Sequence, residues 1–163
     1  MRLKYKDWVG RAIRQSPDNI SRHGKLRLDK NERISPFQSD FLLEIIKKIS
    51  SEDLCAYPEV SPFYGKLANH HLLEKENFFL TAGSDAAIKH CFELFVNPGD
   101  KVIVLEPTFA MVDVYCELFA AERCAIKYDS SLNLDIEEIV SNVDEKTALI
   151  IIANPNSPTG TLI

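Results

Sequence analysis

From Asn77 onward the sequence alternates between short apolar runs and stretches in which apolar residues recur at helical spacing. The apolar runs predict strands at residues 78–80, 101–105, 123–128 and 147–153. The spacing i, i+3, i+4, i+7 between them predicts amphipathic helices, each with one apolar face. Strands that alternate with helices are typical of a doubly wound α/β domain with a mostly parallel sheet. This alternation constrains the fold more than any other feature of the chain.

The apolar faces of the predicted helices identify residues expected in the core. They comprise Ile88, Cys91, Phe92 and Phe95, then Val112, Tyr115, Cys116 and Phe119, and then Ile136, Ile139, Val140 and Val143. Glu106 to Thr108 is expected to begin the second of these helices, and Asp135 to cap the third. The run 147–153 is continuously apolar, which predicts a strand buried on both faces of the sheet.

Residues 1–36 are polar and irregular, and they predict an N-terminal arm rather than a separate domain. A short helix is possible around Trp8, Val9 and Ile13, and a short strand at residues 26–32. Residues 37–163 are interpreted as part of one larger domain. Helices are expected near its start, from Ser39 to Ile49 and from Phe63 to Leu73, with a Pro-containing loop between them at residues 57–62.

Composition excludes several classes of protein. The 163 residues are 45% apolar and 26% charged, as in a soluble globular domain with a sizeable core. A net charge of −5 without a basic stripe argues against nucleic-acid binding. No apolar run is long enough for a membrane span, and Met1 to Lys6 lacks the apolar core of a signal peptide. We therefore expect a cytoplasmic protein that binds neither nucleic acid nor membrane.

The cysteines and histidines do not predict a metal site. The four cysteines are widely spaced, and Cys91 and Cys116 are expected on apolar helix faces as small hydrophobic residues. The adjacent pair His70 and His71 lacks the i, i+4 spacing of a helical metal site, which favours a solvated helix end.

The segment from Phe78 to Ile88 predicts a strand, a tight turn at Gly83 and the start of a helix. Ser84 or Asp85 is expected to cap the first helical turn. A helix N-terminus offers backbone N–H groups and the positive end of a dipole, which suits a bound phosphate. The alternative is an ordinary capped junction between a strand and a helix.

Two further loops follow predicted strands and are expected to share one crevice with residues 82–85. They are residues 106–109 and 154–160, and the three loops taken together are polar and rich in Gly, Pro, Ser and Asn. In doubly wound sheets, ligands bind beyond the carboxyl ends of the strands. The sequence contains neither Gly-x-Gly-x-x-Gly nor a Walker-type Gly-Lys-Ser/Thr, so dinucleotide and P-loop sites lose support.

The chain resembles the pyridoxal-phosphate (PLP)-dependent aminotransferases of class I/II, which have the aspartate aminotransferase fold (fold type I). The nearest subgroup is the one similar to histidinol-phosphate aminotransferase. The resemblance runs from about Leu28 to the end of the chain. It is carried by Leu28–Glu32, Tyr57-Pro58, Thr81–Ile88, Asn97–Asp100, Glu106–Phe109 and Asn154–Gly160, in that order. It implies that residues 37–163 are the N-terminal part of the PLP-binding large domain.

The resemblance also implies roles for individual residues. Gly83, Ser84 and Asp85 match the loop that receives the cofactor phosphate. Phe109 matches an aromatic ring that stacks on the pyridine ring; the alternative is a core aromatic at a helix start. Tyr57 matches a tyrosine that reaches the phosphate of the partner subunit, so that the sites would be shared across a homodimer. The alternative for Tyr57 is packing against Pro58.

Two further positions are assigned by the same resemblance. The family usually has Asn before Pro-Thr-Gly, where it donates a hydrogen bond to the phenolic oxygen of the cofactor. Here Ser157 occupies that position, so the contact is expected from Ser157, through water, or from Asn156. Asn31 and Glu32 match an arm that lies over the substrate side; the alternative is a solvated charge run.

In the family, the Schiff-base lysine, the carboxylate at the pyridine nitrogen and the arginine for the substrate carboxylate lie beyond the Pro-Thr-Gly loop. No lysine of this chain matches the family lysine, so no catalytic residue is assigned. We expect the 163 residues to be an N-terminal portion that binds PLP poorly and is inactive alone.

The complete protein is then expected to be a PLP-dependent aminotransferase of amino-acid biosynthesis. It would transfer an amino group between an amino acid or phosphorylated amine and an oxo acid. The alternatives are a non-catalytic binding or dimerisation fragment, or a PLP-dependent decarboxylase of a phosphorylated amino acid. The substrate itself stays open.

Overall fold

The computed structural model describes residues 6–12, 21–28, 30 and 32–163. The α-helices are α1 (Ser39–Ile46), α2 (Ser51–Cys55), α3 (Ser61–His71), α4 (Gly83–Phe95), α5 (Met111–Leu118) and α6 (Ile136–Ser141). The strands are β1 (Lys101–Glu106), β2 (Glu122–Lys127) and β3 (Thr147–Ile151). Short 3-10 helices cover Asp7–Arg11 and Lys75–Asn77. Within these described ranges, no helix is long and apolar enough to cross a membrane.

The described residues form two compact units. One comprises the described residues of 1–16 together with 81–163, and the other the described residues of 17–80. The boundary at residue 36 that the sequence predicts for the arm stays a prediction.

The larger unit contains a parallel three-stranded sheet in the order β2-β1-β3. β1 is central, with Ile103 opposite Cys124 of β2 and Ile150 of β3. Since β1 has neighbours on both sides and helices on both faces, its residues 102–105 are fully buried. The prediction of a doubly wound α/β fold with a mostly parallel sheet is confirmed.

Alternating residues of β1 point into two separate cores, as the two-residue period of a strand requires. Val102 and Val104 pack with residues of α4 and α5, among them Phe92 and Tyr115. On the opposite face the cluster consists of Ile103, Leu105, Ile126 and Ile139, the last from α6. Burial of these aliphatic side chains, at about 25 cal/mol per Å² of apolar surface, is the main stabilisation of the sheet.

The 3-10 helix Asp7–Arg11 packs on α5 within the same unit. Trp8 Nε1 donates a hydrogen bond to the carbonyl of Leu118 at 3.2 Å. Arg11 also lies 3.4 Å from the carboxylate of Glu117. The helix that the sequence predicts around Trp8 and Val9 is confirmed as one 3-10 segment, while Ile13 lies outside the described residues.

The smaller unit carries α1, α2 and α3. Ser50 and Asp53 form a reciprocal capping box at the start of α2, a helix that periodicity did not predict. His70 and His71 lie exposed in the last turn of α3, as predicted. The predicted apolar face of α1 exists, but no residue of that helix is buried.

Several sequence predictions are wrong in detail. Residues 78–80 form no strand, because the described chain offers them no ladder partner. The described residues of 26–32 contain no strand either, and Asp29 and Asn31 lie outside the described residues. α5 begins at Met111 rather than near Glu106, because β1 continues to Glu106 and residues 107–110 form a loop before the helix.

Burial is also lower than the apolar pattern predicts. β3 is an edge strand, so Ile150 is exposed instead of buried on both faces. On α4 only the side facing α5 and the sheet is covered, which leaves Cys91 and Phe95 exposed. On α6 only Ile139 is buried.

Candidate active site

The N-terminus of α4 begins at Gly83, whose φ of +81° is a left-handed conformation that favours glycine. The preceding residue, Ala82, makes no side-chain capping bond. The prediction that Ser84 or Asp85 caps this helix is wrong, because both lie inside the first turn rather than before it. The first N–H groups of a helix have no partner within the helix, so this end presents donors.

Tyr115 ties this helix end to α5. Its hydroxyl donates a hydrogen bond to the carbonyl of Asp85 at 3.2 Å, and its ring lies 5.8 Å from that of Phe92. Burial raises the pKa of the Tyr115 hydroxyl, and the negative charge of Asp85 raises it further. The hydroxyl therefore stays protonated and can donate at neutral pH.

The side chain of Asp85 has an unused acceptor. Its Oδ1 is buried and has no hydrogen-bond partner among the described residues. A carboxylate in the first turn is favoured by the helix dipole. The same end therefore offers backbone donors and a buried carboxylate oxygen that could accept a hydrogen bond from a bound group.

The loops after β1 and β3 adjoin because their strands are neighbours in the sheet. Asn156 joins them: its Oδ1 accepts from the Thr108 hydroxyl at 3.1 Å, and its Nδ2 donates to the carbonyl of Pro107 at 2.9 Å. Nδ2 also donates to the Thr159 hydroxyl at 2.9 Å. Thr108, Asn156 and Thr159 are called the loop clasp below.

Asn156 is 2% exposed and both hydrogens of its amide are already donated. Its main chain is also fixed, since Asn156 N donates to the carbonyl of Thr161 and its carbonyl accepts from Gly160. Ser157 and Phe109 are half-buried and follow directly after the clasp residues. The hydrogen bond between Thr108 and Asn156 thus joins the loop that contains Phe109 to the loop that contains Ser157.

Arg123 of β2 stabilises the same edge of the sheet. Its guanidinium lies 2.9 Å from Glu106, the last residue of β1, and 2.6 Å from Asp113 of α5. These contacts, like those of Thr108, were missed from the sequence, because the partners are separated by many residues and follow no periodic signal.

The remaining predicted residues belong to the smaller unit. Tyr57 is 98% exposed, so its side chain does not pack against Pro58. Glu32 is not simply a solvated charge, since Arg22 and Arg27 pair with its carboxylate, the latter at 3.3 Å. Asn31 lies outside the described residues. The described ranges contain no cluster of His, Cys, Asp and Glu that could hold a metal ion.

Comparison with known proteins identifies the family. The model of the family "Aminotransferase class I and II" matches residues 50–163, more than half of the chain. Histidinol-phosphate aminotransferase of Dehalococcoides mccartyi is 32% identical over 168 residues, covering 100% of this chain and 46% of the relative. The enzyme of that name from Methanocaldococcus jannaschii is 32% identical, covering 98% of this chain and 42% of the relative. The chain spans less than half the length of these relatives.

Solved structures show the same fold. Histidinol-phosphate aminotransferase of Sinorhizobium meliloti, solved in complex with pyridoxal-5′-phosphate, has a TM-score of 0.64 at 21% identity. The match covers 74% of this chain and 33% of that one. Tyrosine aminotransferase of Leishmania infantum has a TM-score of 0.59 at 22% identity, covering 76% and 34%. The resemblance stated from the sequence is confirmed: this chain belongs to the class I and II aminotransferase family.

Proposed function

We propose that this chain forms the cofactor-phosphate half of the active site of a PLP-dependent aminotransferase. The observation that carries the proposal is the N-terminus of α4, where no side chain of Ala82 caps the helix and the first-turn N–H groups after Gly83 have no acceptor within the helix. The N–H of Gly83 itself donates to the carbonyl of Thr81 at 2.8 Å. Membership of the aminotransferase family supports pyridoxal phosphate as the ligand of these donors, since the similar Sinorhizobium meliloti enzyme was solved in complex with it.

The residues present fit the group. The first-turn N–H groups of α4 and the Ser84 hydroxyl would donate to the phosphate, with Gly83 setting the turn. The ring of Phe109 would lie against the pyridine ring, where stacking contributes about 0.5–1.5 kcal/mol beyond burial. Ser157 rather than Asn156 would donate to the phenolic oxygen, because both amide hydrogens of Asn156 are already used.

When bound, pyridoxal phosphate supplies an electron sink for the carbon that bears the amino group. The chain's own residues would bind and orient it: α4 fixes the phosphate, and Phe109 and Ser157 fix the ring. No residue of this chain is assigned to the transfer of the amino group.

The same proposal extends to the assembly and the location. Tyr57 would reach the phosphate held by the partner subunit of a homodimer; its 98% exposure leaves the whole ring available for such a contact. Asn31 and Glu32 would lie on the substrate side. The protein would act in the cytoplasm, in amino-acid biosynthesis.

For the substrates, we propose an amino acid or phosphorylated amine as donor and an oxo acid as acceptor. The support is the activity for which the two similar enzymes are named, histidinol-phosphate aminotransferase, at 32% identity. The complete enzyme would need a Schiff-base lysine, and no lysine among the 163 residues is assigned to that role. We therefore expect amino transfer from a longer polypeptide and not from the 163 residues alone.

The test is an assay of the protein expressed with whatever coding sequence follows Ile163. It is incubated with pyridoxal phosphate, histidinol phosphate and 2-oxoglutarate, and glutamate formation is followed. Amino transfer supports the proposal, whereas release of carbon dioxide in a parallel incubation with a phosphorylated amino acid would instead indicate a decarboxylase. A folded, dimeric protein that forms neither product and retains no cofactor would favour a non-catalytic binding fragment.

A matched pair of variants ties the activity to α4. Ser84→Ala should weaken retention of the cofactor. Ser141→Ala removes an exposed hydroxyl at the end of α6, which bonds only locally to the carbonyl of Glu138. Retention is measured by absorbance after gel filtration, and equal retention by the two variants would contradict the role of Ser84.

A further inference from the structure

Asn156 is the one buried polar residue that the described part of the chain contains. It lies between two loops rather than within a helix or strand, and its three side-chain hydrogen bonds reach Pro107, Thr108 and Thr159. The hydrogen-bond partners of a buried amide determine its position, because leaving a buried donor or acceptor unpaired costs free energy of folding.

The directions of the hydrogen bonds in the loop clasp follow from the chemistry. The Thr159 oxygen accepts from Asn156 Nδ2 and, at 3.4 Å, from the N–H of Thr161. With both lone pairs used, its own proton is donated to the Thr161 hydroxyl, 2.6 Å away. Thr108 must be the donor to Asn156 Oδ1, since the Nδ2 hydrogens are committed to Pro107 and Thr159. Each hydrogen bond of the network therefore has only one possible donor and one possible acceptor.

Because the donors and acceptors are fixed, residues of similar shape but different hydrogen-bonding groups cannot replace those of the loop clasp. Aspartate at position 156 could not donate to the Pro107 carbonyl and would face it with a negative charge. Valine at position 108 keeps the shape of threonine but removes the donor. Serine at position 108 keeps the donor and loses only a methyl group, which makes it the natural rescue variant.

The loop clasp stands directly beside two residues assigned to the cofactor ring. Phe109 follows Thr108, and Ser157 follows Asn156, each by one peptide bond. Since the bonded residues belong to the loops after neighbouring strands β1 and β3, the clasp fixes one loop against the other.

We propose that Asn156 and Thr108 are positioning residues, which hold Phe109 and Ser157 at a set separation without contacting the ligand themselves. The proposal rests on the proposed function for the identity of that ligand. Its physical content, that the Thr108–Asn156 bond determines the placement of Phe109, concerns the chain alone and can be measured without any cofactor.

The experiment introduces 4-fluorophenylalanine at position 109 of the protein expressed with whatever coding sequence follows Ile163, and records its ¹⁹F resonance. Thr108→Val should shift or broaden this resonance in the ligand-free protein, and Thr108→Ser should restore it. The matched control, Thr147→Val, removes a hydroxyl that bonds to Asp144 at the start of β3, away from the clasp, and should leave the resonance unchanged. If Thr108→Val does not fold, Thr159→Val serves as the second variant, because it removes the acceptor for Asn156 Nδ2.

Titration with pyridoxine 5′-phosphate gives the second readout, since this analogue cannot react with surface lysines. Loss of one well-placed buried bond should raise its dissociation constant about tenfold in Thr108→Val, and Thr108→Ser should bind like the unaltered chain. An unmoved ¹⁹F resonance with unchanged affinity in Thr108→Val overturns the proposal. A shifted resonance in a chain that binds no analogue supports the clasp and counts against the proposed function instead.

Discussion

Gly83 adopts the φ of +81° that opens the N-terminus of α4. No atom lies within 4 Å of a Cβ built there, so space does not restrict this position and only the backbone conformation does. Gly83→Ala should therefore reduce the free energy of unfolding by about 1–2 kcal/mol, the cost of a left-handed conformation for a residue with a side chain. Urea unfolding followed by circular dichroism measures the change.

The matched control is Gly65→Ala within α3. A Cβ there meets only the flexible end of the Lys75 side chain, at 3.6 Å. Since alanine is favoured over glycine inside helices by about 0.5–1 kcal/mol, this variant should be stabilised or unchanged. A loss as large as that of Gly83→Ala would contradict the account of the turn.

Cys116 is buried in the core between α5 and the sheet, and burial raises the pKa of its thiol to about 11. At pH 8 the native thiol is protonated and shielded, so it should react with a disulfide reagent only after unfolding. Cys55 and Cys91 are exposed and should react in the native protein. Mass spectrometry of the labelled peptides distinguishes the sites, and fast native labelling of Cys116 would contradict the packing described here.

The sequence predicts some single-residue features and not others. Asp135 caps α6 as predicted, accepting from Glu137 at 2.9 Å, because capping depends on residues two or three positions away. The burial of Asn156 was not predictable, since its partner Thr108 lies 48 positions earlier in the chain. Local chemistry can be read from the sequence, whereas contacts between distant loops depend on the fold.

At the scale of the elements, an ion pair joins the beginning of β1 to the turn before β3. Lys101 Nζ lies 2.6 Å from Asp144 and also donates to the carbonyl of Asn142 at 3.2 Å. The hydrogen bond from Lys101 is the main cause that lowers the pKa of Asp144, and the same contact raises the pKa of Lys101.

A pKa that is lower in the folded protein stabilises the fold above the unfolded value of about 4. This contribution is lost as the pH falls through the native pKa. Lys101→Met should therefore be less stable at pH 7 but show a shallower loss of stability between pH 5 and pH 2. The urea midpoint at several pH values measures this, with Lys127→Met at the exposed end of β2 as the control. Parallel curves for the unaltered chain and Lys101→Met would contradict the role of the pair.

Periodicity predicts which elements form, but it overestimates how much of each is buried. The helical spacing around Ile139 and the apolar run of β3 correctly indicated a helix and a strand. β3 lies at an edge of the three-stranded sheet, and α6 covers only one side. An apolar side chain permits burial but does not ensure it. Whether it is buried depends on which other elements pack against it, and the local sequence pattern does not specify these.

At the scale of the whole molecule, the predicted architecture is confirmed as the fold of class I and II aminotransferases, with a central parallel sheet. The predicted cofactor residues of the larger unit lie at the N-terminus of α4 and in the loops after β1 and β3. Tyr57 and Glu32 belong to the smaller unit, and their roles stay predictions. The loops after β1 and β3 adjoin because these parallel strands are neighbours, whereas the turn at Gly83 follows no strand, and the cofactor roles of all these residues stay predictions.

The central claim is that the N-terminus of α4 binds the phosphate of pyridoxal phosphate. The most direct measurement compares amide ¹H–¹⁵N shifts of the labelled protein, expressed with whatever coding sequence follows Ile163, during titration with pyridoxine 5′-phosphate and with pyridoxine, which lacks the phosphate. We expect the phosphorylated ligand to produce saturable shifts at the amides of Gly83, Ser84 and Asp85, and pyridoxine to leave them unchanged. Equal shifts with both ligands, or phosphate-dependent shifts confined to residues elsewhere in the chain, would contradict the claim.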